Sequence, residues 1–414
     1  MQNNNKIMIL CKVVDNFGDI GVVYRLARSL SDLRPELELT LVVSNLESFH
    51  KMASAIDPNK QIQDFKYKNS TWKIIDWNLK TKRNADLLTP SNFPFSIILE
   101  CFQCGRPDWL ENLLFSDDFT ETVQILNIDY LTAEDYAEDF HLLKSGTRKA
   151  NIKKRFFMPG FTEKTGGLVI NEVPSFDAKN PGASAKAAAL SALPLSLHSS
   201  VRAAHSGTPS GGAPIASPSS FNIFFFAYED DCTAVVQGIS QFQETICETE
   251  QDFSVTVFVA DGKSSIPFEN AWKKINSPFK IEKIPFLQQE EFDFFINQMD
   301  FLFVRGEDSL ARAALSGLPY IWQAYKQDEN YQLVKVNALL DQMESYFSEN
   351  DFREIKSFWQ SYNDYENPTD SDSLTKMLIS SRNQKNTEGF RRFSQKLHKN
   401  GNLAEHLLAF IDSL

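Results

Sequence analysis

The sequence predicts an α/β protein made of two parallel-sheet domains, and three observations carry that expectation. Apolar runs of strand length alternate with stretches of helical spacing through the first half, the pattern of a doubly wound parallel sheet. From about residue 175 to 220 the composition shifts to Ala, Ser, Pro and Gly with almost no aromatics. After that segment the alternation restarts at residues 221–226 (FNIFFF). The length of 414 residues suits two or three domains. Hydrophobic and charged fractions of 42% and 23% are those of a globular protein.

The first strand is expected at residues 7–11 (IMILC), and the first helix carries apolar residues at helical spacing over 22–30. Between them lies Val13-Val14-Asp15-Asn16-Phe17-Gly18-Asp19-Ile20-Gly21. This is a strand-to-helix turn at the carboxyl end of a strand, where open α/β sheets bind ligands. It gathers two carboxylates, Asp15 and Asp19, and two glycines. The plainer alternative makes Asp19 a helix cap and Asp15 a turn residue. Further strands are expected at 39–43, 73–77, 95–100 and 123–128, with a polar helix from Leu46. The 95–100 strand ends in a turn over 101–107, and the 123–128 strand runs into Asp129-Tyr130-Leu131-Thr132-Ala133-Glu134-Asp135. A turn-rich stretch over 155–168 closes this domain, residues 1–174.

Residues 175–220 bury too little apolar surface to offset their ordering entropy. They are expected to be a mobile linker or insertion, with at most a short helix at 183–192. In the second domain strands are expected at 221–226, 253–259, 280–284, 299–304 and 320–322, with helices at 235–249 and 310–316. From Leu333 onward the chain reads as helical, with a polar break at 363–373.

Composition excludes several classes. A net charge of -12 argues against nucleic acid, which needs a basic footprint, and is compatible with a cationic acceptor. No run approaches the roughly 18 apolar residues of a membrane span, and the polar start MQNNNK lacks a secretory apolar region. A cytoplasmic protein without membrane or nucleic-acid partners is therefore expected. Five cysteines, few and odd in number, suit a reducing compartment. Cys101-Phe102-Gln103-Cys104 lacks the two further ligands of a zinc site, so no metal site is expected; a redox role stays open. None of the six histidines falls in these motifs, which leaves His-based nucleophilic catalysis poorly supported. Phe17-Gly18-Asp19-Ile20-Gly21 lacks the dinucleotide fingerprint, and no Walker A motif exists. That counts against a dehydrogenase or an NTPase. Asp370-Ser371-Asp372 imitates a metal-binding DxD but sits in the polar break, and reads as solvated loop.

The second constellation is Arg305-Gly306-Glu307-Asp308-Ser309, between the 299–304 strand and the 310–316 helix. Asp308 or Ser309 is a good N-cap for a helix starting at Leu310. The free N–H groups of the first turn make an anion site with the helix dipole, and Arg305 adds a charged fork suited to phosphate oxygens. An ordinary capped helix is the alternative. The following helix–Gly-x-Pro–strand looks like the donor-binding unit of glycosyltransferases with two facing Rossmann-like domains. Phe226, Tyr228, Phe286, Phe292 and Tyr325 fall at or beyond the carboxyl ends of strands. Such side chains can stack a base, although in a chain with 34 Phe each taken singly reads rather as core.

Together these motifs resemble the EarP family, the protein-arginine rhamnosyltransferases that modify bacterial elongation factor P. The matching residues are Val14-Asp15-Asn16-Phe17-Gly18-Asp19-Ile20-Gly21 with Arg25-Leu26-Ala27-Arg28, the 129–135 stretch, Pro159-Gly160-Phe161-Thr162 with Thr165-Gly166-Gly167-Leu168, Ile284-Pro285-Phe286-Leu287, and Arg305 to Ser309. They stand in the family's order across both halves; the 175–220 segment is a departure. The resemblance implies a GT-B glycosyltransferase, two facing Rossmann-like domains with the active site in the interdomain cleft. It implies dTDP-β-L-rhamnose as the donor substrate, no cofactor, and one arginine of elongation factor P as the acceptor, rhamnosylated with inversion in support of polyproline translation. Position by position it implies Asp19 as general base and Asp15 as its partner in holding the acceptor, beside Asn16, Phe17 and Gly18. Arg305, Glu307, Asp308 and Ser309 are implied at the pyrophosphate and sugar, Glu307 counting as catalytic. Phe226, Tyr228, Phe286, Gln289, Phe292 and Tyr325 are implied around the nucleotide. The donor domain is then 221–389, with 390–414 packing back on the first domain.

The chemistry is consistent with this. A guanidinium stays protonated up to a pKa of about 12 or more and is a poor nucleophile. A buried carboxylate pair can orient it and take its proton as the C–N bond forms. Opposite, helix N–H groups and Arg305 stabilise charge on the departing diphosphate, a division that needs no metal. Two other readings are a GT-B enzyme with another nucleotide sugar and a small acceptor, and a non-catalytic protein that binds elongation factor P.

Overall fold

Two parallel sheets, one in each half of the chain, put the two motif-bearing turns at corresponding places. The computed structural model describes residues 5–14, 17–79, 89–171, 220–367 and 369–414. The first lobe runs β1 (Lys6–Cys11), α1 (Gly18–Leu33), β2 (Glu38–Val43), α2 (Leu46–Met52), β3 (Ile62–Tyr67), β4 (Ser70–Asp76), β5 (Ile97–Cys101), α3 (Asp108–Leu114), β6 (Val123–Ile128), α4 (Tyr136–Phe140), β7 (Lys144–Ser145) and β8 (Ile152–Phe157). Its sheet order is β3-β4-β2-β1-β5-β6-β8-β7. Strands β4 to β8 across the middle are parallel, and the edge strands β3 and β7 are antiparallel. The chain leaves β1 for β2 on one side and later returns to β5 on the other. The β1–α1 turn therefore sits at the topological switch point, where such sheets bind ligands. Strand β6 is buried along its whole length, as a strand covered on both faces must be.

The second lobe runs β9 (Ser220–Phe225), α5 (Thr233–Cys247), β10 (Ser254–Ala260), α6 (Ser265–Ile275), β11 (Lys280–Ile284), α7 (Gln289–Ile296), β12 (Phe301–Arg305), α8 (Glu307–Ser316) and β13 (Tyr320–Gln323). The helices α9 (Gln332–Met343), α10 (Glu349–Asn363), α11 (Ser371–Arg382), α12 (Thr387–Asn400) and α13 (Leu403–Asp412) follow. All its strands are parallel, in the order β11-β10-β9-β12-β13. Here the switch lies between β9 and β12, so the β12–α8 turn is the counterpart of the β1–α1 turn. Phenylalanines dominate the strands: Phe221, Phe224, Phe225, Phe258, Phe301 and Phe303 are all buried in one core.

Several expectations need correction. The strand expected at 73–77 is present as β4, parallel to β2, but it also carries an unexpected antiparallel edge partner, β3, which alternates too weakly in hydrophobicity to stand out. The stretch expected to be turn-rich begins as a strand, because Arg155–Phe157 is the end of β8, paired with β6. Asp370 is not solvated loop: it is the N-cap of α11 and accepts from the backbone N–H groups of Asp372 and Ser373. The return to the first lobe comes later than residue 390. Helix α12 packs against α8 of the second lobe, and only α13 lies on α1. There Leu403, Leu407, Leu408 and Ile411 enter the first lobe's core, each such burial worth ~1.5–3 kcal/mol. The crossing is pinned by Leu403 N–H donating to the Leu168 carbonyl at 2.8 Å. Most of the expected 175–220 segment, including the short helix at 183–192, lies outside the described residues. No described helix is long and apolar enough to cross a membrane.

Candidate active site

Asp19 is the second residue of α1 and is only 3% exposed. It does not cap its helix. One carboxylate oxygen, Oδ2, accepts from the Val14 backbone N–H at 2.7 Å, which ties Val14 to the helix start. The other, Oδ1, lies 3.5 Å from the Tyr130 hydroxyl, the outer limit of a hydrogen bond. The N-cap residue Phe17 makes no side-chain cap bond, and a carboxylate in the first turn is favoured by the helix dipole. Tyr130 stacks on Phe102 at 4.7 Å between ring centroids. Phe102 and Gln103 both take positive φ, 59° and 51°, a conformation that costs non-glycine residues energy and gathers at functional sites. Burial, with the charges of Asp19 and Glu307, raises the Tyr130 phenol well above its ordinary pKa, so it stays a neutral donor. Asp15 and Asn16, expected beside Asp19, lie outside the described residues.

The β12–α8 turn is built on Gly306, whose φ of 69° favours glycine. Gly306 is the N-cap, and α8 begins at Glu307. Asp308 and Ser309 therefore lie inside the first turn and neither caps it, contrary to expectation. The Ser309 hydroxyl donates back to the Arg305 carbonyl, and the Trp322 indole N–H donates to the Gly306 carbonyl at 3.2 Å. The Arg305 guanidinium lies over the rings of Phe226 and Tyr228, 4.5 and 4.6 Å from their centroids. The Tyr228 backbone is fixed by donating to Gln323 Oε1 at 2.7 Å, and its ring meets the exposed Tyr325 edge-on at 5.4 Å. Phe286 is also exposed and faces Phe17 across the lobes at 5.2 Å. Phe292 is placed differently: it packs on Phe224 at 5.7 Å and belongs to the margin of the core.

Glu307 joins the two turns. Its Oε2 accepts from the Leu131 backbone N–H of the first lobe at 2.9 Å. Burial, above all, pushes its carboxyl up to about 8. The Leu131 N–H and Lys335 pull it down, while the charges of Asp19 and Asp129 push it up. At neutral pH it therefore carries a proton most of the time. The loop after β6 thus touches both acids, Asp19 through the Tyr130 side chain and Glu307 through the Leu131 backbone.

Helix α1 also meets the second lobe directly. Arg25 donates to Asp308 from Nε at 2.7 Å and to Asp293 from Nη1 at 2.6 Å. The Gln289 side-chain amide donates to the Gly21 carbonyl at 2.7 Å, so Gln289 holds the start of α1 in this structure. A Cβ on Gly21 would stand 3.2 Å from the Met52 methyl, which would have to give by a few tenths of an ångström, and at an ordinary 3.5 Å from that amide nitrogen. Arg28 pairs with Glu290 at 2.5 Å. Both Asp308 oxygens face Arg25, so the carboxylate expected at the donor site is turned toward the first lobe. Sequence reasoning assigned no role to Tyr130, Leu131 or Arg25, although all three lie in motifs it had marked. Cys101 is buried at the end of β5 and Cys104 is partly buried; burial raises both thiols above the ordinary thiol range. Among the described residues no group of three or more His, Cys, Asp or Glu is placed to hold a metal ion.

Comparison with known proteins bears on this arrangement. A family described as "Elongation-Factor P (EF-P) rhamnosyltransferase EarP" matches residues 7–412. A protein-arginine rhamnosyltransferase of Pseudomonas putida is 27% identical over 369 residues, covering 86% of both chains. One from Neisseria meningitidis is 30% identical over 341 residues, covering 80% of this chain and 76% of that one. Among solved structures, one on EarP-mediated arginine glycosylation of translation elongation factor EF-P superposes with a TM-score of 0.54 at 18% identity, covering 99% of each chain. A UDP-glucose:anthocyanidin 3-O-glucosyltransferase with UDP superposes with a TM-score of 0.50 at 11% identity, covering 100% of this chain and 99% of that one. The fold shared with these structures is the GT-B architecture.

Proposed function

The chain belongs to the EarP family of protein-arginine rhamnosyltransferases, and from that premise we propose that it transfers L-rhamnose from dTDP-β-L-rhamnose to one arginine of elongation factor P. The observation that carries this reading is the pairing of two uncapped helix starts across the lobes, Asp19 on one side and Arg305 with Glu307 on the other. Each turn supplies what the other lacks. Asp19 is a buried carboxylate fixed by the Val14 N–H. It is suited to hold a guanidinium, strip its water and accept a proton. Asp15 is its partner in this reading, on the strength of the family motif.

In the proposed step a guanidinium nitrogen of the acceptor attacks C1 of rhamnose from the face opposite the diphosphate. The C–N bond forms as the bond from C1 to the diphosphate oxygen breaks, so the configuration inverts. The proton lost from the nitrogen goes to Asp19, and the electron pair leaves with dTDP. Charge on the diphosphate is met by the N–H groups of the first turn of α8 and by Arg305. This assignment draws the stabilisation from the chain's own residues and calls for no metal ion. Glu307, protonated near neutrality, adds no negative charge beside the leaving group and can donate a hydrogen bond to a sugar or phosphate oxygen. The exposed rings of Phe286 and Tyr325, with Phe226 and Tyr228, form the proposed wall for the thymine. Phe292 backs that wall through Phe224, which stacks on Phe226, while the Gln289 amide borders it from the Gly21 carbonyl. The reading places the enzyme in the cytoplasm, where elongation factor P works.

The deciding experiment is the intact mass of elongation factor P after incubation with the protein and dTDP-rhamnose, with wild-type enzyme and with Asp19→Asn. One added deoxyhexose on a single arginine, absent with the variant, is expected. Donor binding by calorimetry without any mass gain would point to another acceptor or to a binding-only protein.

A further inference from the structure

The Arg25-Leu26-Ala27-Arg28 segment was marked in the sequence, yet the proposed chemistry gives it no task. Arg25 is 1% exposed and lies on α1, six positions beyond Asp19. Its guanidinium makes four hydrogen bonds, all to the other lobe. Nε and Nη2 donate to Asp308 at 2.7 and 3.1 Å, and Nη1 and Nη2 donate to Asp293 at 2.6 and 3.1 Å. Asp308 is the neighbour of Glu307 at the start of α8, and Asp293 lies on α7.

We propose that Arg25 is a positioning residue that fixes the helix bearing Asp19 against the helix start bearing Glu307, setting the distance across which the sugar is transferred. The proposal rests on the reading of the site as a rhamnosyl transferase.

Three physical points support it. An α-helix is stiff and rises 1.5 Å per residue, so Asp19 and Arg25 are separated by ~9 Å along one rigid rod; where the fork is held, the acid is held. A planar guanidinium can satisfy two carboxylates at once with fixed directions, which a lysine ammonium cannot. Burial alone would push Asp308 up, yet Arg25 and then Arg312 outweigh it and hold its carboxyl below the usual range. Burial opposes the charge on Arg25 as well, and Asp308 and Asp293 together raise it above the ordinary guanidinium value. Arg25 and Asp308 are therefore both charged, and a buried arginine forked between two carboxyl groups by four hydrogen bonds has little freedom to reorient. The Arg28–Glu290 pair and the Gln289–Gly21 bond lie along the same face of α1 and confine the sliding that the fork would otherwise have to resist alone.

The test uses the full-length protein, with Arg25→Met, Arg25→Lys and Asp293→Asn. It measures kcat for elongation factor P, dTDP-rhamnose affinity by calorimetry, and hydrogen exchange without substrate. A positioning role predicts that Arg25→Met lowers kcat by ~10²-fold, the scale of an ångström's misplacement of reacting groups. Donor affinity should stay within about threefold of wild type, since the donor groups themselves are intact. Exchange should rise in the first turns of α1 and α8 while β1 and β12 stay protected. Arg25→Lys should recover only part of kcat, and Asp293→Asn should move in the same direction as Arg25→Met. Wild-type kcat in a folded Arg25→Met protein would overturn the proposal. So would an equal loss of donor affinity and kcat, or an equal loss of protection in the strands, which marks a general folding role. If Arg25→Met does not fold, Asp293→Asn carries the same readings. If the wild-type enzyme moves no rhamnose, the functional reading falls; the exchange arm still decides the fork, and unchanged protection in the variants would remove it.

Discussion

The two strand-to-helix turns are alike in construction and opposite in how they are tied down. Both follow a central strand at a switch point, both begin a helix without a side-chain cap, and both place acids in the first turn. The difference lies in where those acids find partners. Asp19 is fixed inside its own lobe, by Val14 and the loop after β6. Glu307 and Asp308 are fixed by the opposite lobe, through Leu131 N–H and Arg25. These two contacts hold the Asp19 carboxylate whichever way the lobes stand, whereas the acids of the β12–α8 turn find these partners only when the lobes meet. In the proposed reading the proton acceptor is ready throughout, and closure sets the opposite turn against it.

The sharpest way to break this comparison is Asp19→Asn. The amide keeps the shape and can still accept from Val14, but it cannot take a proton. Transfer should fall by ~10²–10⁴-fold, the usual range for removal of a general base. Donor affinity should change by only a few-fold (~1 kcal/mol), because the donor is assigned to the other turn. Calorimetry with dTDP-rhamnose separates the two outcomes, and a large loss of donor affinity would move Asp19 to the donor site.

Arg305→Ala attacks the other side. It removes a cation held over two rings and the charge nearest the expected diphosphate. A loss of ~1.5–3 kcal/mol is the scale for a charge-assisted hydrogen bond, or roughly ten- to a hundredfold in donor affinity. Unchanged donor affinity by calorimetry would make Arg305 a structural brace for Phe226 and Tyr228.

How far the sequence led can be judged on these same residues. The turns were legible because each combines an apolar strand, a glycine-bearing break and a helix start in contiguous residues, and the signal of such a unit is local. The restart of the pattern at Phe221 marked the second sheet for the same reason. What was not legible depended on contacts between distant segments. Nothing near Arg25 in sequence says that its partners are Asp293 and Asp308, because those pairings exist only once two separately folded sheets face each other. The start of α8 was placed three residues late because Asp308 and Ser309 are good capping types; the tertiary pull of Arg25 and the left-handed Gly306 decided otherwise. Strand β3 was missed because it is an edge strand with only Phe65 fully buried, too few apolar positions for the period to show. Helix α12 was sent to the wrong lobe because apolar spacing alone does not say which core a helix faces; the Gly401–Leu403 crossing shows where the chain changes sides.

Glu307 offers a pH test of the tie between lobes. Its carboxyl is raised from 4.5 to about 8 in the folded protein. Between those values the folded state holds a proton that the unfolded chain has lost, so stability falls as pH rises through that window. Glu307→Gln cannot titrate and keeps an oxygen for Leu131 N–H. The melting temperature of the wild type relative to this variant should therefore be highest near pH 5 and should drop as pH approaches 8. A difference that is flat with pH would mean that Glu307 is already ionised in the folded protein, and that the donor turn carries a second negative charge beside Asp308.

The smallest expected effect belongs to Tyr130→Phe, and it bears most directly on the comparison. The hydroxyl stands at 3.5 Å from Asp19, too long for a strong bond, whereas the Val14 N–H is close at 2.7 Å. If the carboxylate is positioned chiefly by its own turn, removing the hydroxyl takes away a weak orienting contact. The ring remains stacked on Phe102. A contribution at the low end of the ~0.5–1.5 kcal/mol net value of a hydrogen bond corresponds to a two- to threefold fall in kcat, with donor affinity unmoved. A fall comparable to that of Asp19→Asn would place the orientation of the base in the loop after β6 rather than in the α1 turn. That loop also donates to Glu307 through Leu131, so the base would then depend on the meeting of the lobes as the donor turn does, and the two turns would no longer differ in kind.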